Sequence, residues 1–129
     1  MTRILIALLA FGAMAGLTSA APQETKVPKD TCVQPCLDCA KECLTGIKHA
    51  RDQLRMEDLA KSMEICHHAC LTCAHAVGSK HARAWEACEL CEKICNDCAA
   101  VCEKSNDEHM KKCAKACRDC AKACADARK

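Results

Sequence analysis

Sixteen of the 129 residues are cysteine, and every one belongs to a run. The runs are Cys32, Cys36, Cys39 and Cys43; Cys66, Cys70 and Cys73; Cys88, Cys91, Cys95, Cys98 and Cys102; and Cys113, Cys117, Cys120 and Cys124. Within each run the steps are three and four residues, the spacing of one face of an α-helix. Such a stripe is ordinarily filled with Leu, Ile and Val. Here it is filled with thiols.

Sulfur on the packing faces of helices admits several chemistries, and the spacing separates them. A disulfide framework staples distant loops in small loop-rich domains, whereas these cysteines lie along helices that should fold by packing. Structural zinc sites use two short pairs separated by a loop. Here each helix continues its cysteines past the pair, so no set of four is marked off. Iron–sulfur clusters use tighter runs of the CxxCxxC kind, which the chain lacks. A thioredoxin-type pair needs one CxxC beside a βαβ unit, and no stretch reads as a strand. Cu(I) is a soft cation that thiolate and thioether ligands select. Cysteines three or four apart stand some 5–6 Å apart at Cβ and can pinch one ion. A continuous ladder of them becomes a row of linked sites. At 1.5 Å per residue the stripe from Cys88 to Cys102 is roughly 21 Å long. The residues therefore point to binding of several Cu(I) ions per chain. The alternative from another class is a disulfide-stabilised or thiol-redox structural protein. An enzyme is not expected, because no nucleophile with its base, carboxylate pair or phosphate loop stands out.

Composition agrees with a sulfur core. The chain has no Tyr, one Phe and one Trp, and its hydrophobic half leans on cysteine and alanine. If metal–sulfur bonds supply the cohesion, large apolar side chains are not needed and metal binding becomes folding energy. The net charge is only +2 and no basic run stands out, so a nucleic-acid partner is not expected.

The elements that must position the thiols can be read from the junctions. Residues 1–20 read as a secretory signal: Arg3, an apolar run from Ile4 to Leu17, then Thr18-Ser19-Ala20 for cleavage. The run is too short for a membrane span, which needs roughly 20 residues. Paired arginines are absent, so the general export route to the periplasm is expected. Residues 21–29, with Pro22 and Pro28, read as a mobile lead-in. The bundle domain is 30–129. Helix 1 should start at Asp30 or Thr31 and reach Arg51, with Pro35 in its first turn. Helix 2 should run from Glu57 to Val77, with Gly78 as its C-cap and Ser79 as an N-cap for helix 3. Helix 3 should span Lys80 to Glu103, and helix 4 Asp107 to Ala127. These are four antiparallel helices with short loops, an all-α four-helix bundle. KICNDCAAVC of helix 3 and KACRDCAKAC of helix 4 match at most positions, which hints at a repeated hairpin.

The stripes continue past the cysteines. Helix 2 extends backwards from Cys66 through Met63, Leu59 and Met56, and helix 4 through Met110 and His109. Antiparallel packing puts both helix starts at one end, beside Ile47, Ala50 and Leu54. Met63, Met110 and His109 can then gather at one mouth, where weaker thioether and imidazole ligands would suit passage of ions; Met63 and Met110 equally suit gap filling in a core end, and Met56 is the weaker candidate. The opposite end should hold Val77, His81 and Trp85 as an apolar closure. His49 and His75 read as surface residues, only one of His67 and His68 can face inward with solvation of both the alternative, and the charged positions from Lys41 to Lys122 read as a solvated outer face.

The motifs CVQPCLDCAKEC, CHHACLTC, ACELCEKICNDCAAVC and KKCAKACRDCAKAC, spread along the domain from Cys32 to Cys124, closely resemble the bacterial four-helix-bundle copper storage proteins. The resemblance implies many Cu(I) ions inside the core, storage or sequestration, a homo-oligomer, often a tetramer of bundles, and copper-accepting proteins as possible partners. Two departures are the signal without paired arginines and helix 2 with three cysteines.

Overall fold

The computed structural model describes residues 26–129; the expected signal, and the lead-in up to residue 25, lie outside them. Four helices follow one another: α1 (Val33–His49), α2 (Glu57–Gly78), α3 (Ala84–Cys102) and α4 (Glu108–Ala127). Each packs on its sequence neighbours, and α4 closes on α1, so the helices form an up-down-up-down ring with no strand among the described residues. The four-helix bundle is as expected, and two of its three inter-helix turns differ from expectation.

Helix 1 enters through a 3-10 turn at Asp30–Cys32 and leaves through a π turn at Ala50–Leu54. Arg55 then takes the left-handed conformation, with φ of 55°. The Met56 amide returns to the Ala50 carbonyl at 3.0 Å, which closes the turn. The connection expected at Asp52–Arg55 is thus partly helical.

At the next junction Gly78 is the last residue of α2 and has no positive φ; the left-handed position is Lys80, at φ 54°. His81 N–H donates to Ala76 C=O at 2.8 Å, the closing bond of a helix-ending turn. Ser79 does not cap α3, since its hydroxyl donates back to His75 C=O at 2.7 Å. A left-handed residue cannot continue a right-handed helix, so α3 restarts at Ala84 rather than Lys80. The third turn follows the expected chemistry. Asp107 is the N-cap of α4, its carboxylate accepting from the His109 and Met110 amides at 2.9 and 3.2 Å.

Residues 26–29 also differ from expectation. The end of the lead-in is pinned rather than mobile: Lys29 N–H donates to Ala127 C=O at 2.8 Å, Pro28 is buried, and Val27 packs on the core.

All sixteen cysteines are buried, and among the described residues no polar or charged side chain is. Beyond cysteine, alanine, Pro28 and Gly46, the buried residues are Ile47, Leu59, Met63, Val77 and Met110. Cysteine and alanine are small, so the helices approach closely around a core of sulfur. The expected outer charges stay outside, many in i,i+4 pairs such as Glu89–Lys93, Lys115–Asp119 and Lys122–Asp126. Exposed pairs of this kind contribute little to stability, because water screens them.

Candidate metal centre

The thiols come together in five groups of four, and within each group the sulfurs lie within 4.8 Å of one another. From one end to the other they are Cys32, Cys73, Cys88 and Cys124; Cys36, Cys91, Cys120 and Cys124; Cys39, Cys70, Cys95 and Cys120; Cys39, Cys43, Cys66 and Cys117; and Cys43, Cys98, Cys113 and Cys117. Consecutive groups share corners. Cys124 joins the first two, Cys120 the second and third, Cys39 the third and fourth, and Cys43 with Cys117 the last two. The ladder expected along single helices is therefore woven across the bundle. Same-helix pairs, Cys120/Cys124, Cys39/Cys43 and Cys113/Cys117, supply part of three groups, and facing helices supply the rest.

The separations decide what such groups can hold. None of the sixteen cysteines is in a disulfide. Facing sulfurs stand 3.5 Å apart for Cys70 and Cys95, 3.6 Å for Cys36 and Cys124, 3.6 Å for Cys39 and Cys117, and 3.6 Å for Cys43 and Cys113. With metal–sulfur bonds of about 2.3 Å, two sulfurs on one ion stand about 4.0 Å apart in trigonal geometry and about 4.6 Å in linear geometry. A relaxation of a few tenths of an ångström therefore fits three sulfurs around one ion. Shared corners do not suit four isolated tetrahedral zinc sites, but they do suit thiolates that bridge soft monovalent ions.

Protonation follows from the crowding. Cys102 is pushed up, by the Cys113 thiol first, then by Cys98 and by burial. Cys43 is pushed up by Cys113 first, with burial adding to it. Cys124, which joins two groups, is pulled down to about 6, chiefly by the Cys120 thiol. Thiols that share protons in this way must release them when metal binds.

Cys102 belongs to none of the five groups; it stands beyond the last one, beside Cys113 and Cys98. Past it lie Met63 and Met110, both fully buried as a mouth of sulfur would require. They converge on Gly46 of α1, where a β-carbon would meet the Met63 sulfur at 2.7 Å and the Met110 methyl at 3.5 Å. Met63 lies one helical step before Cys66, and the fifth group has no ligand from α2. The thioether thus stands where a fourth α2 cysteine would be.

The imidazoles are not brought inside. His109 is exposed and stacks on His49, with ring centres 4.2 Å apart, so it does not share the interior position of Met63 and Met110. His49, expected on the surface, is half-buried and bonded to Asp107 Oδ2 through Nε2 at 2.9 Å. That contact is the first cause holding the Asp107 carboxyl below its usual range. His67 bonds to the Ala40 carbonyl at 2.8 Å, and His68 is exposed. Met56 is 46% exposed and leaves the stripe. At the opposite end Val77 is buried, but His81 is exposed and Trp85 half-buried, so the closure differs from the one expected. Lys26 lies over the Trp85 ring, its Nζ 4.4 Å from the centre, and Arg128 pairs with Glu92 nearby. Sequence reasoning missed the roles of Gly46 and of residues 26–29. A glycine inside a helix, at a position on the sulfur stripe, was the available signal for the first.

Comparison with known proteins agrees with this geometry. The family described as copper storage protein (Csp) matches residues 19–129. A curated relative, the uncharacterized cysteine-rich protein YhjQ of Bacillus subtilis (strain 168), is 29% identical over 89 residues, 67% of this chain and 82% of the relative. Among solved structures, Cu(I)-bound copper storage protein BsCsp3 superposes with a TM-score of 0.72 and 28% identity, covering 76% of this chain and 95% of that one. On a match that takes in the whole sulfur ladder, the chain belongs to the copper storage protein family.

Proposed function

We propose that this protein binds and stores several Cu(I) ions through the cysteine thiolates of its bundle core. The observation that carries the reading is the set of five corner-sharing sulfur groups, with spacings close to trigonal metal–thiolate geometry. Storage rather than turnover is the expected role. The groups run along the core, and all their thiols are buried. Met63 and Met110 extend the ladder as thioether ligands at one end, and His109, outside with His49, is a first contact for arriving ions. Arg3 and the apolar run Ile4–Leu17 support export to the periplasm by the general secretory route, with copper acquired after folding. The chain is proposed to assemble as a homo-oligomer, a tetramer by the resemblance of its motifs, and to pass copper to accepting proteins.

The test is an anaerobic Cu(I) titration of the fully reduced protein against a chromogenic Cu(I) chelator. The chelator is expected to stay colourless until about ten or more ions per chain are added, since bridging thiolates approach one ion per sulfur. Colour after one or two ions sinks the storage reading. Fractionation of cells expressing the chain, and size-exclusion with light scattering, test export and assembly.

A further inference from the structure

Gly46 lies inside α1, three residues after Cys43, and is buried. Its φ is not positive, so no backbone conformation there calls for glycine. Alanine is the better helix former at such a position. What the position does require is space. A β-carbon on Gly46 would stand 2.7 Å from Met63 Sδ and 3.6 Å from Met63 Cε, with Met110 Cε at 3.5 Å. Real carbon–sulfur contacts do not come that close, so the Met63 sulfur occupies the volume an alanine methyl would take. This happens where α1 has run out of cysteines, and where the fifth group lacks an α2 ligand. At this level of the bundle α1 contributes a hole and α2 contributes the sulfur that fills it.

We propose that Gly46 is a positioning residue: its missing side chain seats the Met63 thioether against α1, at the end of the thiol ladder and beside Met110, where the sulfur can take a copper ion. The inference rests on the reading of Met63 as a ligand. A merely structural glycine and a positioning glycine differ in what alanine does. If Gly46 serves packing alone, Gly46→Ala disturbs stability and leaves copper at Met63 unchanged. If it seats the sulfur, Gly46→Ala displaces Met63 Sδ by about 1 Å and separates the thioether from its ion, while the thiol groups keep their ligands.

The experiment uses the full chain isotope-labelled at the methyl groups of its 5 methionines. Resonances are assigned with Met63→Leu and Met110→Leu and followed through an anaerobic Cu(I) titration. In the unaltered chain the Met63 methyl resonance is expected to move as copper loads. In Gly46→Ala that movement is lost, or shifts to about tenfold higher free Cu(I), and total capacity falls by no more than about one ion. An identical Met63 response in both proteins overturns the positioning role. A Met63 resonance that never moves in the unaltered chain overturns the thioether reading itself, and the inference with it. Should Gly46→Ala fail to fold, the double variant Gly46→Ala/Met63→Cys decides. The shorter thiol does not reach the new methyl, so this protein is expected to fold and to keep an α2 ligand. If it too fails to fold, Gly46 is needed for something other than Met63.

Discussion

At the end where α1 hands over to α2, the core is closed by Ile47, Leu59, Met63 and Met110, with Cys102 just inside. At the other end the first thiol group is capped by a strap from outside the four helices, Val27 to Lys29, together with Val77, Trp85 and Arg128. Lys29 is tied to both neighbours there: its N–H donates to Ala127 C=O at 2.8 Å, and its C=O receives the Cys32 thiol at 3.6 Å. One end is thus sealed by side chains on the helices themselves, two of them sulfur-bearing. The other is sealed by a short segment that holds on through the backbone of Lys29, the buried Pro28 and the half-buried Val27.

The difference matters for ions that must reach a core with no exposed thiol. On the proposed reading of Met63 and Met110 as ligands, copper arriving at the methionine end would meet thioether before thiolate. Copper at the strap end meets a backbone carbonyl, proline and indole, none of which binds Cu(I) well. A barrier of that kind opens only when the strap lifts, which is a local unfolding event of low cost. Traffic is therefore expected at the methionine end, and the strap end fills and empties last.

The largest effect should come from the middle, where both ends connect. Cys117 belongs to two groups and faces Cys39, Cys66 and Cys43 at 3.6, 3.8 and 4.0 Å. Cys117→Ser should cost about two ions per chain, and Cys32→Ser, in one group only, about one; chelator competition reads both. Equal losses would mean that the groups load independently. Next, Val27→Asp should free the strap. Its partial burial contributes about 1 kcal/mol, so the opened population and the rate at which a chelator strips the last ions should rise about fivefold at unchanged capacity. Trp85, beside the first group, reports that step through its emission. A rate that does not change would leave the strap without a role in exchange. A smaller effect is expected from Met63→Cys, which gives the fifth group its missing α2 thiolate and should raise capacity by about one ion.

How much of this was legible beforehand differs between the thiols and the ends. Spacing of three and four placed every cysteine on an inner face, and all sixteen are buried. A periodic stripe needs no tertiary information to be read, and the bundle follows from four of them. The grouping into shared quartets was not legible, because it depends on the axial stagger of facing helices. That stagger is what puts Cys124 beside Cys32 and also beside Cys36. The register did place Met63 and Met110 together, and it failed for Met56 because the turn at Arg55 releases that residue to solvent. His109 misled for a related reason: it lies next to a buried residue, but its amide is taken up by the Asp107 cap and its ring stacks outward on His49. Residues 26–29 looked mobile because proline and lysine dominate there, and only the neighbouring helix end shows what holds them.

The smallest predicted effect tests the other place where local chemistry misled. A glycine at the end of a helical pattern ordinarily marks the left-handed cap, but the strap-side turn puts that conformation two residues later, at Lys80. Gly78 is helical, exposed, and has nothing within 4 Å of where its β-carbon would be. Its freedom is therefore spent only on the unfolded chain. Gly78→Ala should stabilise the metal-free protein by about 0.5–1 kcal/mol, read as a raised thermal midpoint. Gly46 shares that propensity but not that space, so Gly46→Ala should gain less, or lose stability, on the same measurement. If both substitutions gave equal gains, the Met63 sulfur would not be pressing on α1. The contrast between the methionine end and the strap end would then lose its structural basis at Gly46.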